Sequence, residues 1–321
     1  MIETRKLTKY YGTLGAVVDL DLVIREGDIF GFIGPNGAGK TTTMRILATL
    51  VEPTRGTAFI DGLDVRTHGR EVRRRIGYMP DFMGVYDDLK VFEYLEFFAA
   101  AYSIPAAQRP AIIRGVLDLT DLAAKSAMLV DSLSRGMQQR LQLARVLIHD
   151  PKVLILDEPA SGLDPRARIE IRALLKELKR MGKTIMISSH ILSELAELCD
   201  HFGIIERGRL LFSGTFAEIR QRLGVHRRVR VRVAERTEQA VDVLAALPAV
   251  ASARQDGEAI AVNLADGSAA GSASAKDAAQ GPAEALIADT LVRAGFKLVA
   301  LVPEEVKLDD AFMELTKGAV Q

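Results

Sequence analysis

Tryptophan is absent from these 321 residues, and cysteine occurs once, as Cys199. A lone thiol excludes an internal disulfide framework and fits a reducing compartment. Its place after Leu198 in a helical stretch reads as a buried thiol rather than a nucleophile. Net charge is missing too: 42 Lys and Arg balance 42 Asp and Glu. Nothing in that balance favours a polyanionic partner such as nucleic acid. No run approaches the ~20 apolar residues of a membrane-spanning helix. The start, Met1-Ile2-Glu3-Thr4-Arg5, does not have the pattern of a signal peptide. The chain is therefore expected to be soluble and cytoplasmic. Apolar residues are plentiful, at 48%, enough for a sizeable core. The length implies roughly two domains.

Residues 34–41 read Gly-Pro-Asn-Gly-Ala-Gly-Lys-Thr. The spacing is G-x-x-x-x-G-K-[ST], a phosphate-binding loop. The apolar, β-prone stretch 28–33 precedes it, and apolar residues at helical spacing follow over 41–50. Strand, glycine loop and helix are the context the motif needs. A chance match in a chain of this length is on the order of one in a hundred on average residue usage. Gly34, Gly37 and Gly39 let the backbone curl until several N–H groups face one anion. Pro35, Asn36 and Ala38 complete the loop. The helix dipole adds a positive end at the same point. Lys40 can reach the outer phosphates, Thr41 can offer a hydroxyl to Mg²⁺, and Thr42 continues the helix start.

A second motif is Val153-Leu154-Ile155-Leu156-Asp157-Glu158-Pro159. Four apolar residues make a buried strand that delivers two carboxylates at its carboxyl end. Asp157 suits Mg²⁺; Glu158, one residue on, suits polarising a water. A third is Leu133-Ser134-Arg135-Gly136-Met137-Gln138-Gln139-Arg140. Ser134 is an N-cap candidate, and Gly136 permits close backbone approach at a second anion-binding helix start.

Periodicity organises the rest. Residues 1–33 alternate short β-prone runs and turns. Strands are expected near 57–60, 76–79, 153–156, 184–188 and 202–205. Helices are expected over 92–102, 109–119, 137–149, 166–180 and 191–198. Strands alternating with helices predict an α/β fold, a parallel sheet covered on both faces with a ligand at the carboxyl ends of its strands.

With these motifs in place, residues 1–220 resemble the nucleotide-binding subunit of ATP-binding cassette (ABC) transporters. The order matches: phosphate loop at 34–42, signature at 133–137, the carboxylate strand at 153–158, Ser161-Gly162-Leu163-Asp164, then Ser188-Ser189-His190. The resemblance implies a RecA-like P-loop NTPase core with an N-terminal antiparallel β portion and an inserted helical subdomain at about 90–150. It implies ATP and Mg²⁺, with Tyr11 stacked on adenine and His190 at the γ-phosphate. It implies that Ser134 and Gly136 reach ATP held by a second nucleotide-binding subunit, in a homo- or heterodimer, with Asp164 linking the two sites. It also implies an integral-membrane permease, touched through 82–95, on the inner face of the cell membrane, and export as the direction. A soluble ABC ATPase of translation or DNA repair is the alternative, though such proteins usually carry paired cassettes or long insertions. Three positions depart from the family pattern. Asp81 stands where glutamine is usual and could ligate Mg²⁺; Arg135 replaces a glycine; Met137 replaces a glutamine. The form with Arg135 and Met137 looks like a variant of exporter cassettes.

Residues 221–321 read as a separate small α+β domain. From Arg228 to Val233 arginine and valine alternate, which puts arginines on one face of a strand. Solvation is the ordinary use of such a face. The order β-α-β-β-α-β suggests a ferredoxin-like module, interrupted by a flexible low-complexity loop at about 265–283. The stretch 308–316 resembles the closing helix of exporter cassettes. Regulation or dimer support is the expected role.

Overall fold

The computed structural model describes residues 1–81, 88–222, 228–265 and 283–304. The chain divides into two compact units, Met1–Phe216 and Ala217–Gln321.

The first unit opens with β1 (Ile2–Tyr11) and β2 (Leu14–Ile24), an antiparallel hairpin. Gly12 turns it at φ +59°, a conformation that suits glycine. β3 (Ile29–Ile33) follows; every residue of it is buried, as a central strand with both faces covered requires. It runs into α1 (Lys40–Leu47), then β4 (Arg55–Ile60), β5 (Leu63–Asp64), α2 (Gly69–Arg75) and β6 (Ile76–Met79). Three helices come next, α3 (Val91–Ala101), α4 (Arg109–Leu119) and α5 (Arg135–Leu147). The chain returns to alternation with β7 (Val153–Leu156), α6 (Pro165–Arg180), β8 (Thr184–Ser189), α7 (Leu192–Leu195), β9 (His201–Glu206) and β10 (Arg209–Gly214); α8 (Phe216–Arg222) starts at the last residue of this unit and otherwise belongs to the second.

Two sheets result. One is antiparallel, in the order β2-β1-β4-β5. The other has six strands in the order β10-β9-β3-β8-β7-β6, parallel except for the β10 edge. β6 and β7 are neighbours, so α3, α4 and α5 are an insertion between adjacent strands. β3 lies between β8 and β9, which brings three carboxyl ends together beside the loop that follows β3. A cluster including Phe30, Phe32, Met44, Leu47, Ile155 and Met186 fills the space between elements of this unit.

The helix expected over 191–198 is shorter, Leu192–Leu195. Asp200 stops it: its N–H donates to Ile29 O and its carboxylate accepts from Ile29 N–H, so the chain must turn early to enter β9.

The second unit contains β11 (Arg228–Val233), α9 (Thr237–Ala245), β12 (Val250–Asp256), β13 (Ala259–Leu264), α10 (Ala283–Arg293) and β14 (Leu298–Glu304). The sheet order is β12-β13-β11-β14, antiparallel throughout, a ferredoxin-like arrangement. Val229, Val231 and Val233 are buried with Leu244, Ile260 and Ile287, while Arg230 and Arg232 face outward. Most of the loop expected at 265–283, and the segment 308–316, lie outside the described residues.

Candidate nucleotide site

The loop between β3 and α1 is shaped by its glycines. A Cβ on Gly39, at φ +108°, would come within 2.3 Å of Ala16 O; one on Gly34 would come within 2.3 Å of Ile205 O. Gly37 has open space and φ +80°, so its constraint is conformational alone. Gly39 is the N-cap of α1 and offers no side chain to the first turn, which has no acidic residue. The first N–H groups of α1 thus keep their donor capacity for an anion. Lys40 is 5% exposed. Its Nζ donates to Gly34 O at 2.6 Å and lies 3.3 Å from Glu158 Oε1. Thr41 and Thr42 are half-buried on the same turn, and Thr43 donates back to Gly39 O.

β7 delivers Asp157 fully buried. Its Oδ1 accepts from Ser188 Oγ at 2.7 Å, and its Oδ2 is buried without a hydrogen-bond partner. Such an orphaned carboxylate oxygen fits a cation ligand. Glu158 follows at φ +50°, a strained conformation for glutamate, of the kind that collects at active sites. Ser188 accepts the Glu158 N–H at 2.8 Å and so fixes that turn. Glu158 Oε2 then meets His190 Nδ1 at 2.9 Å. Lys40, Glu158 and His190 form one connected row, with Asp157 and Ser188 beneath it.

Asp81 follows β6 and shares this field. Burial first, then the Asp157 and Glu158 carboxylates, push its carboxyl above the usual range; Arg135 and His190 partly offset them. No group of three or more His, Cys, Asp or Glu among the described residues could hold a metal alone. A metal at Asp157 would need donors of other kinds as well, and Mg²⁺ commonly takes them from hydroxyls, water and substrate phosphates.

The other expected residues stand apart from this row. Tyr11 is 47% exposed at the end of β1, with Lys9 Nζ 5.2 Å from its ring centre. Ser134 is the N-cap of α5 and accepts from Met137 N at 3.3 Å. Gly136 faces α6, where a Cβ would come within 2.9 Å of Ala167 Cβ. Asp164 is the N-cap of α6, accepting from Ala167 N at 2.9 Å. Phe82, Met83, Val85 and Tyr86, expected at a permease contact, lie outside the described residues. Sequence reasoning assigned no role to Ser188. Its signal was a hydroxyl at the carboxyl end of a buried apolar strand, where ligands of parallel sheets gather.

A family model described as ABC transporter matches residues 17–161. Three curated relatives align over about two thirds of the chain. An uncharacterized ABC transporter ATP-binding protein of Synechocystis is 37% identical, over 68% of this chain and 64% of its own length. The bacitracin transport ATP-binding protein BcrA of Bacillus licheniformis is 43% identical, over 69% of this chain and 72% of its own. The Nod factor export ATP-binding protein I of Cupriavidus metallidurans is 39% identical, over 67% and 71%. The solved dimeric structure of a bacterial ABC transporter cassette superposes with a TM-score of 0.61 at 27% identity, covering 67% of this chain and 98% of that one. These are transporter proteins, not the soluble factors of translation or repair that the sequence also allowed.

Proposed function

From the premise that this chain belongs to the ABC transporter ATP-binding proteins, and is an ATPase, we propose that it powers an integral-membrane permease, most simply in export, by closing on a second nucleotide-binding subunit around ATP. The connected row Lys40–Glu158–His190 carries this reading. The bacitracin-transport and Nod-factor-export relatives support transport, and the dimeric cassette supports pairing.

The loop from Gly34 to Gly39 and the start of α1 cradle the phosphates through backbone N–H groups. Incoming phosphate oxygens compete with Gly34 O and Glu158 for the Lys40 ammonium. Drawing Lys40 away leaves Glu158 bonded to His190, ready to accept a proton from water. The strained turn at Glu158 is held by Ser188, which fixes where the side chain leaves the backbone. Thr41 and Asp157 would hold Mg²⁺, with Asp81 as a further candidate ligand, and the ion would supply charge neutralisation at the phosphates. Catalysis is then positioning plus electrostatic stabilisation, as phosphoryl transfer requires. Ser134 and Gly136 would meet the γ-phosphate of the partner's ATP, Tyr11 the adenine, and Asp164 the seam between the two sites. The small second unit serves regulation or dimer support. No helix among the described residues is long and apolar enough to cross a membrane, so the chain would sit at the inner face through its permease.

A phosphate-release assay with Mg-ATP, and affinity purification from solubilised membranes with mass spectrometry of what accompanies the chain, test the two halves of the proposal. Phosphate release above that of a Lys40→Ala control, and a polytopic membrane protein in the eluate, are expected. An eluate of ribosomal or DNA-repair proteins instead would overturn the transport reading.

A further inference from the structure

The starts of α5 and α6 lie side by side, and three contacts form a seam between them. A Cβ on Gly162 would come within 2.5 Å of Arg135 Cζ, 2.5 Å of Nη2 and 2.7 Å of Nη1. Three nearly equal distances mean that the guanidinium turns its face to the side of Gly162 where a Cβ would stand. One residue on, Gly136 has room for no Cβ against Ala167, at 2.9 Å. Further along, Arg140 Nη2 stands 3.8 Å from Glu170 Oε2, and Arg140 also grips Asp121 at 2.8 Å. Both helix starts are capped by their own side chains, Ser134 on Met137 N–H and Asp164 on Ala167 N–H. The loop at 161–164 is held at three points: Ser161 N–H donates to Glu158 O, Arg135 covers Gly162, and Asp164 caps α6.

Gly162 needs glycine for its φ of +66°, which a side chain rarely adopts, and the missing Cβ leaves the place where the guanidinium rests. Arginine at the first position of a helix brings charge of the unfavourable sign for the helix dipole, so helix stability does not explain it.

We infer that Arg135 is a positioning residue: its guanidinium, laid across Gly162, holds the 161–164 loop in register with the start of α5, so that both helix starts move as one body when nucleotide binds and leaves. This rests on the ATPase reading for its consequence but not for its geometry. It gives a purpose to the arginine that stands where glycine is usual, without a direct contact between that arginine and phosphate.

A double-mutant cycle tests it, with Arg135→Ala, Gly162→Ala, the double variant and Arg135→Lys in the full chain. Two readouts are taken: amide hydrogen exchange across 161–164 without nucleotide, and kcat and KM for Mg-ATP. Arg135→Ala should speed exchange across 161–164 about tenfold while leaving β3 unchanged. It should lower kcat about fivefold with KM for ATP within about twofold of wild type. Arg135→Lys should resemble Arg135→Ala, because an ammonium has no planar face to turn to Gly162. The backbone strain of Gly162→Ala is common to both backgrounds, whereas its clash with the guanidinium exists only with Arg135 present. The kcat loss from Gly162→Ala should thus be about threefold smaller in the Arg135→Ala background. Independent, multiplicative effects, or unchanged exchange in Arg135→Ala, would overturn the inference. A raised KM with unchanged exchange would also overturn it, since that marks a direct phosphate contact. Should Gly162→Ala fail to fold, the exchange result for Arg135→Ala decides alone. A wild-type chain without phosphate release would sink the ATPase reading yet leave the exchange measurement intact.

Discussion

Lys40 and Glu158 come from opposite sides of the first unit's sequence and meet as an ion pair at 3.3 Å, with side chains only 5% and 13% exposed. Removing one partner of a buried pair strands the other, which is the costly event. Glu158→Gln does less than that. It leaves an amide that can still accept from Lys40 but cannot take a proton from water. Hydrolysis should fall at least ~10²-fold, the ordinary worth of a general base. ATP binding should hold or tighten, because Lys40 no longer has a carboxylate to leave. Phosphate release and a nucleotide titration measure the two effects, and closed dimers should accumulate with ATP. Hydrolysis at the wild-type rate would remove Glu158 from the mechanism.

Ser188 joins the two acidic residues of the site: it accepts the backbone N–H of Glu158 and donates to the Asp157 carboxylate. Ser188→Ala leaves one buried donor and one buried acceptor unpaired at a turn already strained at φ +50°. A loss of about 1–3 kcal/mol in stability is expected from the unpaired groups. A fall in kcat of about tenfold or more should accompany it, since Glu158 loses its anchor. Ser188→Thr retains the hydroxyl and should recover most of kcat. Equal kinetics for the alanine and threonine variants would show that the hydroxyl is not what matters.

The loop after β3 and the carboxylates after β7 were legible in the sequence because each is written within a few consecutive residues. An apolar strand followed by glycines, or by Asp157 and Glu158, needs no knowledge of its neighbours. Ser188 was not legible as a bridge. Its contact with Asp157 exists only because β7 and β8 are adjacent in the sheet, an order that periodicity does not encode. The same holds for Arg135, whose place across Gly162 depends on how α5 and α6 lie together. Gly136 was legible as a close-approach glycine, but its neighbour within the chain, Ala167, was not. The short α7 has a similar origin: the residues after Leu195 remain helix-compatible, and the turn is imposed by Asp200 bonding to Ile29 across the sheet.

Gly39 separates conformational need from steric need. Alanine there meets both a φ of +108° and a carbonyl, Ala16 O, 2.3 Å from the new Cβ. That carbonyl is backbone of β2 and cannot move aside without disturbing the hairpin. Gly37→Ala meets only the positive φ. Gly39→Ala should abolish ATP binding and lower the unfolding midpoint by several degrees; Gly37→Ala should cost about 1 kcal/mol of stability. Parallel thermal melts and nucleotide titrations compare them. Equal damage from both would mean that the contact with Ala16 is relaxed at no cost.

His149 makes stability depend on pH in a direction that can be worked out. Its Nε2 lies 2.9 Å from Ile76 O, a carbonyl that can only accept, so Nε2 carries the proton. The ring stacks on Tyr102 at 3.8 Å and 9°. Burial pushes the imidazole below its ordinary 6.5; the Ile76 hydrogen bond and Asp150 act the other way, and Lys183 adds to the lowering. In the window between the folded pKa and 6.5, the unfolded chain binds more protons than the folded one. Stability then rises with pH across that window and is lost as pH falls through it. Asp81 works oppositely: its carboxyl is raised, so acidification favours the folded state there. Comparison with His149→Phe isolates the histidine, because phenylalanine keeps the stacking and removes the titration. Urea unfolding at about pH 7.5 and pH 5.5 should show wild type losing more stability on acidification than the variant, while the variant starts lower for want of its hydrogen bond to Ile76. A wild-type curve parallel to that of His149→Phe would mean that the ring protonates equally well in the folded chain.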